Sequence, residues 1–263
     1  MQPLLKYPRT PHLSGSQLQR DDDPSTVAFA SLAGRHLVVE EKLDGANTAI
    51  SFARDGALCL QSRGHYLCGG PRERHFALLK TWAQCLQGEL RQVLGSRYVM
   101  YGEWLFAKHT VFYDQLPHYF HEFDVYDREQ RLFLATPARR RLLEGLPITS
   151  VPVLHSGPVT SEHQLLGLVG PSLYKSTSWR DRLRAEVADR QQSWSHVASQ
   201  TEASDLSEGL YVKHEDERQV LGRFKYVRPG FVQALVSSDS HWHGRPILPN
   251  QLAPGASLFP GGA

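Results

Sequence analysis

Apolar and polar positions alternate over short distances in the first quarter of the chain. "HLVVEE" (36–41), "TAISFA" (48–53) and "ALCLQS" (57–62) are β-branched or alternating segments, separated by Asp44-Gly45 and Asp55-Gly56, dipeptides that turn the backbone sharply. Three such segments in a row predict an antiparallel meander, with "VVEEKLDGANTAISF" as a strand, a tight turn and a second strand. From Pro71, a residue suited to a first helical position, the period changes. Phe76, Leu79, Trp82, Ala83, Leu86, Leu90 and Val93 recur at helical spacing, so one long amphipathic helix is expected to cover the sheet.

Strand patterning resumes in "RYVMYGEW" (97–104), "YFHEFDVYD" (119–127) and "RLFLA" (131–135), and again in "GLYVKHE" (209–215) and "QVLGRFKYV" (219–227), the last two joined by a polar turn. Thr136-Pro137 opens a basic helix, and 160–200 reads as two helices, "SEHQLLGLVG" and "SWRDRLRAEVADRQQSW". Strands outnumber helices and the helices fall in blocks, which argues an α+β fold on antiparallel sheets. Residues 1–30, rich in Pro, Ser, Asp and Gln, are expected as an irregular arm packed on the body, 31–243 as the single domain, and 244–263 as a Pro- and Gly-rich tail that is not a folded module.

Composition narrows the chemistry more than the fold. A net charge of +2 over 263 residues leaves any polyanion site to local clusters. Three cysteines, Cys59, Cys68 and Cys85, without C-x-x-C spacing favour neither a disulfide framework nor a zinc ribbon, and a reducing cytoplasm is the expected setting. No apolar run is long enough for a membrane span or a signal peptide, so a soluble protein is expected. Neither G-x-x-x-x-G-K-S/T nor G-x-G-x-x-G occurs, so a nucleotide would be held by side chains. "HWH" (241–243) is a weak zinc signal and reads as structural.

Lys42, at the end of an apolar run and just before Asp44-Gly45, has two readings: a solvated strand end or a nucleophile. Its companions come in a fixed order: "QSRGHY" with Arg63, "YGEW" with Glu103, "YFHEFDVYD", "SEGLYVK" with Glu208 and Lys213, and "GRFKYVR" with Arg223 and Lys225. This set, over about residues 36–231, resembles the covalent nucleotidyltransferases: ATP-dependent DNA ligases, RNA ligases and mRNA capping enzymes. The resemblance implies an ATP-grasp-like nucleotidyltransferase domain of antiparallel sheets flanked by helices, ATP as the nucleotide and Mg2+ or Mn2+ as the metal.

By the same resemblance Lys42 becomes lysyl-AMP. Glu103 holds the ribose, Arg63 contacts ribose or phosphate, Phe120 stacks on the purine, and Glu208 organises the metal. Lys213 and Lys225, with Arg223, contact the α-phosphate and pyrophosphate, and Glu41 and Asn47 border the nucleotide. Arg223 departs from the Lys-x-Lys form common in RNA ligases. The bland readings are an exposed strand residue for Glu103 and a core ring for Phe120. A lysine of pKa about 10.4 is charged at neutral pH, so the chemistry needs an environment that favours the neutral amine.

"KLDGAN" carries Asn47 where DNA ligases and capping enzymes place a second cation, and is similar to RNA ligases of the second phage type. The short stretch after Phe231 leads to the expectation of no OB-fold domain. The implied activity is ATP-dependent joining of RNA 5′-phosphate and 3′-hydroxyl ends in repair, alongside an end-healing kinase or phosphatase. A minimal DNA or mixed-nick ligase, and an inactive nucleic-acid-binding or nucleotide-sensing module, are the alternatives. RNA contacts are expected at Arg72 and Arg74, and at Lys175 and Arg180 beside Trp179; "ARRR" (138–141) reads as a solvated helix face.

Overall fold

The computed structural model describes residues 3–18, 25–231 and 247–259. Along the chain come β1 (His12–Leu13), β2 (Thr26–Val27), β3 (His36–Glu41), β4 (Ala46–Phe52) and β5 (Leu58–Ser62). A 3-10 segment, Pro71–Phe76, leads into α1 (Ala77–Cys85) and α2 (Gln87–Leu94). Then follow β6 (Tyr98–Trp104), β7 (Phe120–Asp127), β8 (Leu132–Phe133), α3 (Thr136–Leu142), β9 (Thr149–Ser150) and β10 (Val153–Pro158). The described elements end with α4 (Glu162–Leu166), α5 (Trp179–Asp189), α6 (Trp194–Ser199), β11 (Gly209–Glu215) and β12 (Val220–Val227).

These strands form two sheets, ordered β10-β3-β11-β12-β1-β2 and β5-β4-β6-β7-β8, with β9 beside β7. The long pairings are antiparallel and helices flank them, as expected for α+β. The meander is not what the structure contains. β3 lies inside the first sheet, between β10 and β11, whereas β4 and β5 belong to the second. Both β3 and β4 are buried almost throughout, as interior strands with two covered faces are, and a turn signal between them cannot tell a hairpin from a crossing between sheets. The Asp55-Gly56 hairpin does join β4 to β5, with Gly56 at φ 84°.

The expected single helix from Pro71 is broken at Leu86 into α1 and α2, after a 3-10 entry. Its apolar face survives the break: Phe76, Leu79, Trp82, Ala83, Leu86 and Leu90 are buried in one core with Ile50, Phe52 and Met100 of the second sheet. The helix expected from Ser178 onward stops at Asp189, where Gln191 takes a positive φ, and α6 forms separately. On the far face of the first sheet, Leu37, Val39, Leu210, Val212 and Tyr226 alternate inward against Leu165 and Val159.

Within residues 3–18, β1 pairs in parallel with β12, and Tyr7 is buried. In the tail, residues 247–259 form no module but lie against the body, with Leu248 and Asn250 buried. Asn250 holds the stretch in place, its Nδ2 donating to Leu105 O at 2.7 Å and its N–H to Phe106 O at 2.8 Å. The "HWH" segment lies outside the described residues. Among the described residues no helix is long and apolar enough to cross a membrane.

Candidate active site

Where the chain leaves β3 for β4 it borders a cavity of about 720 Å³ between the two sheets. Lys42 stands at this crossing. Its N–H donates to Gly209 O at 3.0 Å, and its Nζ is 2.7 Å from Glu208 Oε2. Two glycines allow the approach. A Cβ at Gly45 would lie 2.7 Å from both Trp104 O and Leu105 Cδ2, and one at Gly209 would overlap Tyr226 O, so neither position next to the lysine admits a side chain. Asp44 does more than turn the chain. Its Oδ2 accepts the N–H groups of Thr110 and Val111, each at 2.7 Å, and its own N–H donates to the Tyr113 hydroxyl at 2.8 Å, which fastens the segment carrying His109 into the cavity wall. Gly45 N–H donates to Glu103 Oε1 at 3.0 Å, and Glu103 faces Asn47 across the β4–β6 ladder.

The crossing is therefore acidic around the Lys42 amine. Burial pushes Glu103 up to about 8, helped by Asp44 and Glu208 and opposed by Lys42. Glu208 rises to about 7, again through burial first, with Lys42 pulling it down. Burial alone would lower Lys42, but Glu208, then Glu103 and Asp44, outweigh it and hold the ammonium charged. The sequence reading had supplied cations around this lysine; its nearest charged neighbour is instead a carboxylate.

Of the expected site residues, Glu41, Lys42, Asn47, Arg63, Glu103, Glu208 and Lys225 border the cavity. The Glu41 carboxylate is already held, accepting from Ser172 Oγ at 2.6 Å and Leu173 N–H at 3.1 Å. Strand alternation puts it on the opposite face from Glu40 and Lys42.

Three expected contacts are displaced from the cavity. Phe120 is fully buried against Trp82, ring centroids 5.2 Å apart, above Gly102; it is a core ring. Phe123, three residues on and so on the other face of β7, borders the cavity in its stead. Lys213 has no exposure: its ammonium meets Glu40 Oε2 at 2.9 Å and Asp124 Oδ1 at 3.1 Å, and donates to Phe123 O. Its hydrogen bonds go to Glu40 Oε1, at 3.0 Å, and to Phe123 O, so the ammonium is paired inside the protein and does not border the cavity. Arg223 lies over the Phe133 ring at 3.8 Å and 3.8 Å from Asp124. Lys213 and Arg223 share a strand face with Tyr211 and Lys225, as their spacing requires, but sit farther along it, beyond the cavity.

The same buried hub corrects the basic helix. Arg139, expected in a solvated stretch, is fully buried and pairs with Glu40 and Glu122 at 3.0 Å each. Lys175 and Arg180 are also engaged: Lys175 donates to Ser204 O at 2.7 Å, and Arg180 to Asp205 Oδ1 at 2.9 Å and Ala203 O at 2.6 Å. Trp179 between them is 2% exposed and covered by both cations, so it offers no face to a base. Arg74 is exposed on the 3-10 segment whose His75 and Phe76 border the cavity; the Arg72 side chain lies outside the described ones.

Sequence reasoning missed Tyr7, Pro8 and Thr10 from the arm, His75, His109, Phe123 and Tyr211. Tyr211 could have been found, since it alternates with Lys213 on one face of "GLYVK". Tyr7 carried no such signal.

A family model described as RNA ligase matches residues 35–227. No curated protein matches the chain significantly. Among solved structures, Naegleria gruberi RNA ligase with PPi is 18% identical over 86% of this chain and 61% of that one, with a TM-score of 0.50. Two mutant forms of that ligase, one apo and one with ATP and Mn, are 20% and 19% identical, each over 76% of this chain, with TM-scores of 0.48. The chain covers 51% and 52% of those two, about half their length, and at such identities the likeness is one of fold.

Proposed function

The chain belongs to the RNA ligase family, and from that premise we propose that it is an ATP-dependent RNA ligase working through lysyl-AMP on Lys42. The observation that carries the reading is the Lys42 amine at the crossing between sheets, 2.7 Å from Glu208 and bordering a cavity of about 720 Å³. A structural lysine needs no such cavity, and a solvated strand end needs no buried carboxylate partner.

In the resting site Glu208 is the influence that keeps Lys42 protonated. Engaging Glu208 elsewhere removes the largest influence that opposes burial, which moves Lys42 toward the neutral amine. The carboxylates fit a divalent cation: Glu208 and Glu103 are both pushed up toward neutrality by burial and by Asp44, with Lys42 as their opposing charge. Among the described residues no three His, Cys, Asp or Glu side chains converge, so Glu208 would hold Mg2+ or Mn2+ together with phosphate oxygens and water. The metal would supply charge neutralisation on the triphosphate.

Neutral Lys42 Nζ attacks the α-phosphorus of ATP. The N–P bond forms as the bond to the bridging oxygen breaks, and pyrophosphate leaves. A 5′-phosphate oxygen of RNA then takes the AMP, the N–P bond breaks, and Lys42 regains its proton. The RNA 3′-hydroxyl finally attacks that phosphate and expels AMP. Phe123 and Tyr211, on opposite walls with ring centroids 6.4 Å apart, are the candidates to flank the purine in place of Phe120. Glu103 and Arg63 serve the ribose and phosphates, Lys225 the phosphates, and Asn47, opposite Glu103, supplies a donor and an acceptor where DNA ligases carry a cation. Arg74 receives RNA at the mouth. The RNA ends suit a repair role, after an end-healing kinase or phosphatase.

Incubation with α-labelled ATP and magnesium leaves label on the wild-type chain and none on Lys42→Ala. Label retained by Lys42→Ala would end the nucleophile assignment. Joining is then measured on all-RNA, mixed and all-DNA nicks, and best sealing of all-DNA nicks would overturn the argument from Asn47.

A further inference from the structure

We propose that Tyr7, carried by the N-terminal arm, is a positioning residue for the base-binding slot, fixing both aromatic walls and thereby the enzyme's affinity and selectivity for the purine. The inference rests on the reading of the cavity as the ATP site.

The two walls come from different sheets. Tyr211 stands on β11 and Phe123 on β7, their ring centroids 6.4 Å apart and their planes 39° from parallel. A flat base between two rings needs about 7 Å, two contact layers of ~3.5 Å, so a shift of either ring by a fraction of an ångström decides the fit. Tyr7 touches both rings. Its hydroxyl is 2.7 Å from the Tyr211 hydroxyl, and its ring meets Phe123 edge-on at 5.1 Å and 79°. The same hydroxyl donates to Asp124, the neighbour of Phe123 in β7. Thr10 Oγ1, from the arm, adds a second contact to the Tyr211 hydroxyl at 3.2 Å.

The arm that delivers Tyr7 is tied to each sheet on either side of it. Leu5 O accepts from Gln61 Nε2 and from the Tyr101 hydroxyl, both at 2.8 Å and both from the second sheet. Pro11 O accepts the N–H of Lys225 at 3.0 Å, and His12 pairs with Lys225 in the first sheet. Tyr7 thus sits midway along a tie across the cleft, where its contacts transmit the spacing of the sheets to the slot.

The test is the initial rate of Lys42 labelling against ATP concentration, and the same with GTP, for wild type, Tyr7→Phe, Tyr211→Phe and the double variant. Each single variant raises the ATP KM about tenfold, with the change in KM rather than kcat, and narrows the preference for ATP over GTP. The double variant loses less than the two single losses combined, because the hydroxyl pair they share is lost only once. Tyr211→Phe keeps the Tyr7–Asp124 bond, so it carries the test even where Tyr7→Phe folds poorly. An unchanged KM in both single variants, additive losses in the double variant, or a fall in kcat that only follows a fall in melting temperature overturns the proposal. A wild-type chain that takes no label sinks the ligase reading, which is a separate result.

Discussion

Replacing Lys213 by methionine separates a buried structural cation from a phosphate contact. The substitution keeps most of the side-chain volume and removes an ammonium with no solvent exposure. Glu40 keeps Arg139 at 3.0 Å, while Asp124 keeps only the Tyr7 hydroxyl and Arg223 at 3.8 Å, so one carboxylate loses its nearest cation in a dry setting. Breaking a buried ion pair from one side costs about 3–5 kcal/mol. For a chain of this size that corresponds to a melting temperature lower by about 10 °C. Thermal unfolding followed by circular dichroism gives the shift, and Lys42 labelling at 15 °C, below both transitions, gives the activity of the folded fraction. The expected result is a large loss of stability with labelling reduced no more than the folded fraction. An unchanged melting temperature with labelling abolished would refute the structural assignment and return Lys213 to the nucleotide.

Glu103 and Glu208 have raised folded-state pKa values, about 8 and about 7, so the stability tied to their protonation is present below about pH 4.5 and lost as pH rises through 7 to 8. Glu103→Gln, which retains an acceptor for Gly45 N–H, therefore raises the melting temperature of the nucleotide-free protein at pH 8, and the difference shrinks toward pH 4.5; a pH series of melting curves checks it. Phe120→Ala and Phe123→Ala divide the two aromatic roles: the first costs about 3–5 kcal/mol in denaturant unfolding, while the second raises the KM for ATP in the labelling assay with a small change in stability. Arg74→Glu lowers joining of RNA ends more than self-labelling, measured in parallel on one preparation, and equal losses would remove Arg74 from the RNA surface.

Local chemistry determined much that the sequence alone could state. Turn residues fixed the β4–β5 hairpin, and helical spacing found the apolar face of α1 and α2 despite the break at Leu86; period-two alternation, which puts Tyr211 with Lys213 and Arg223 with Lys225 on one side of their strands, was there to be read as well. Such features depend on neighbours within a few residues, so they are written in the order of side chains. Tertiary structure decided which sheet each strand joins and how deep each charge lies. "KLDG" has the turn chemistry of a hairpin, yet it carries the chain from one sheet to the other, because β3 finds its partners, β10 and β11, far along the sequence while β4 pairs with β5 and β6. Lys213 and Lys225 occupy the same face, but Glu40 and Asp124 close around the first while the cavity opens beside the second. Phe120 and Phe123 differ by three residues, an odd number, and only the packing of α1 against β7 says which face is core. Tyr7 lies farthest from any local signal: its partners, Asp124 and Tyr211, are 117 and 204 residues away in the chain, and it reaches the site only because an arm without regular patterning bridges both sheets.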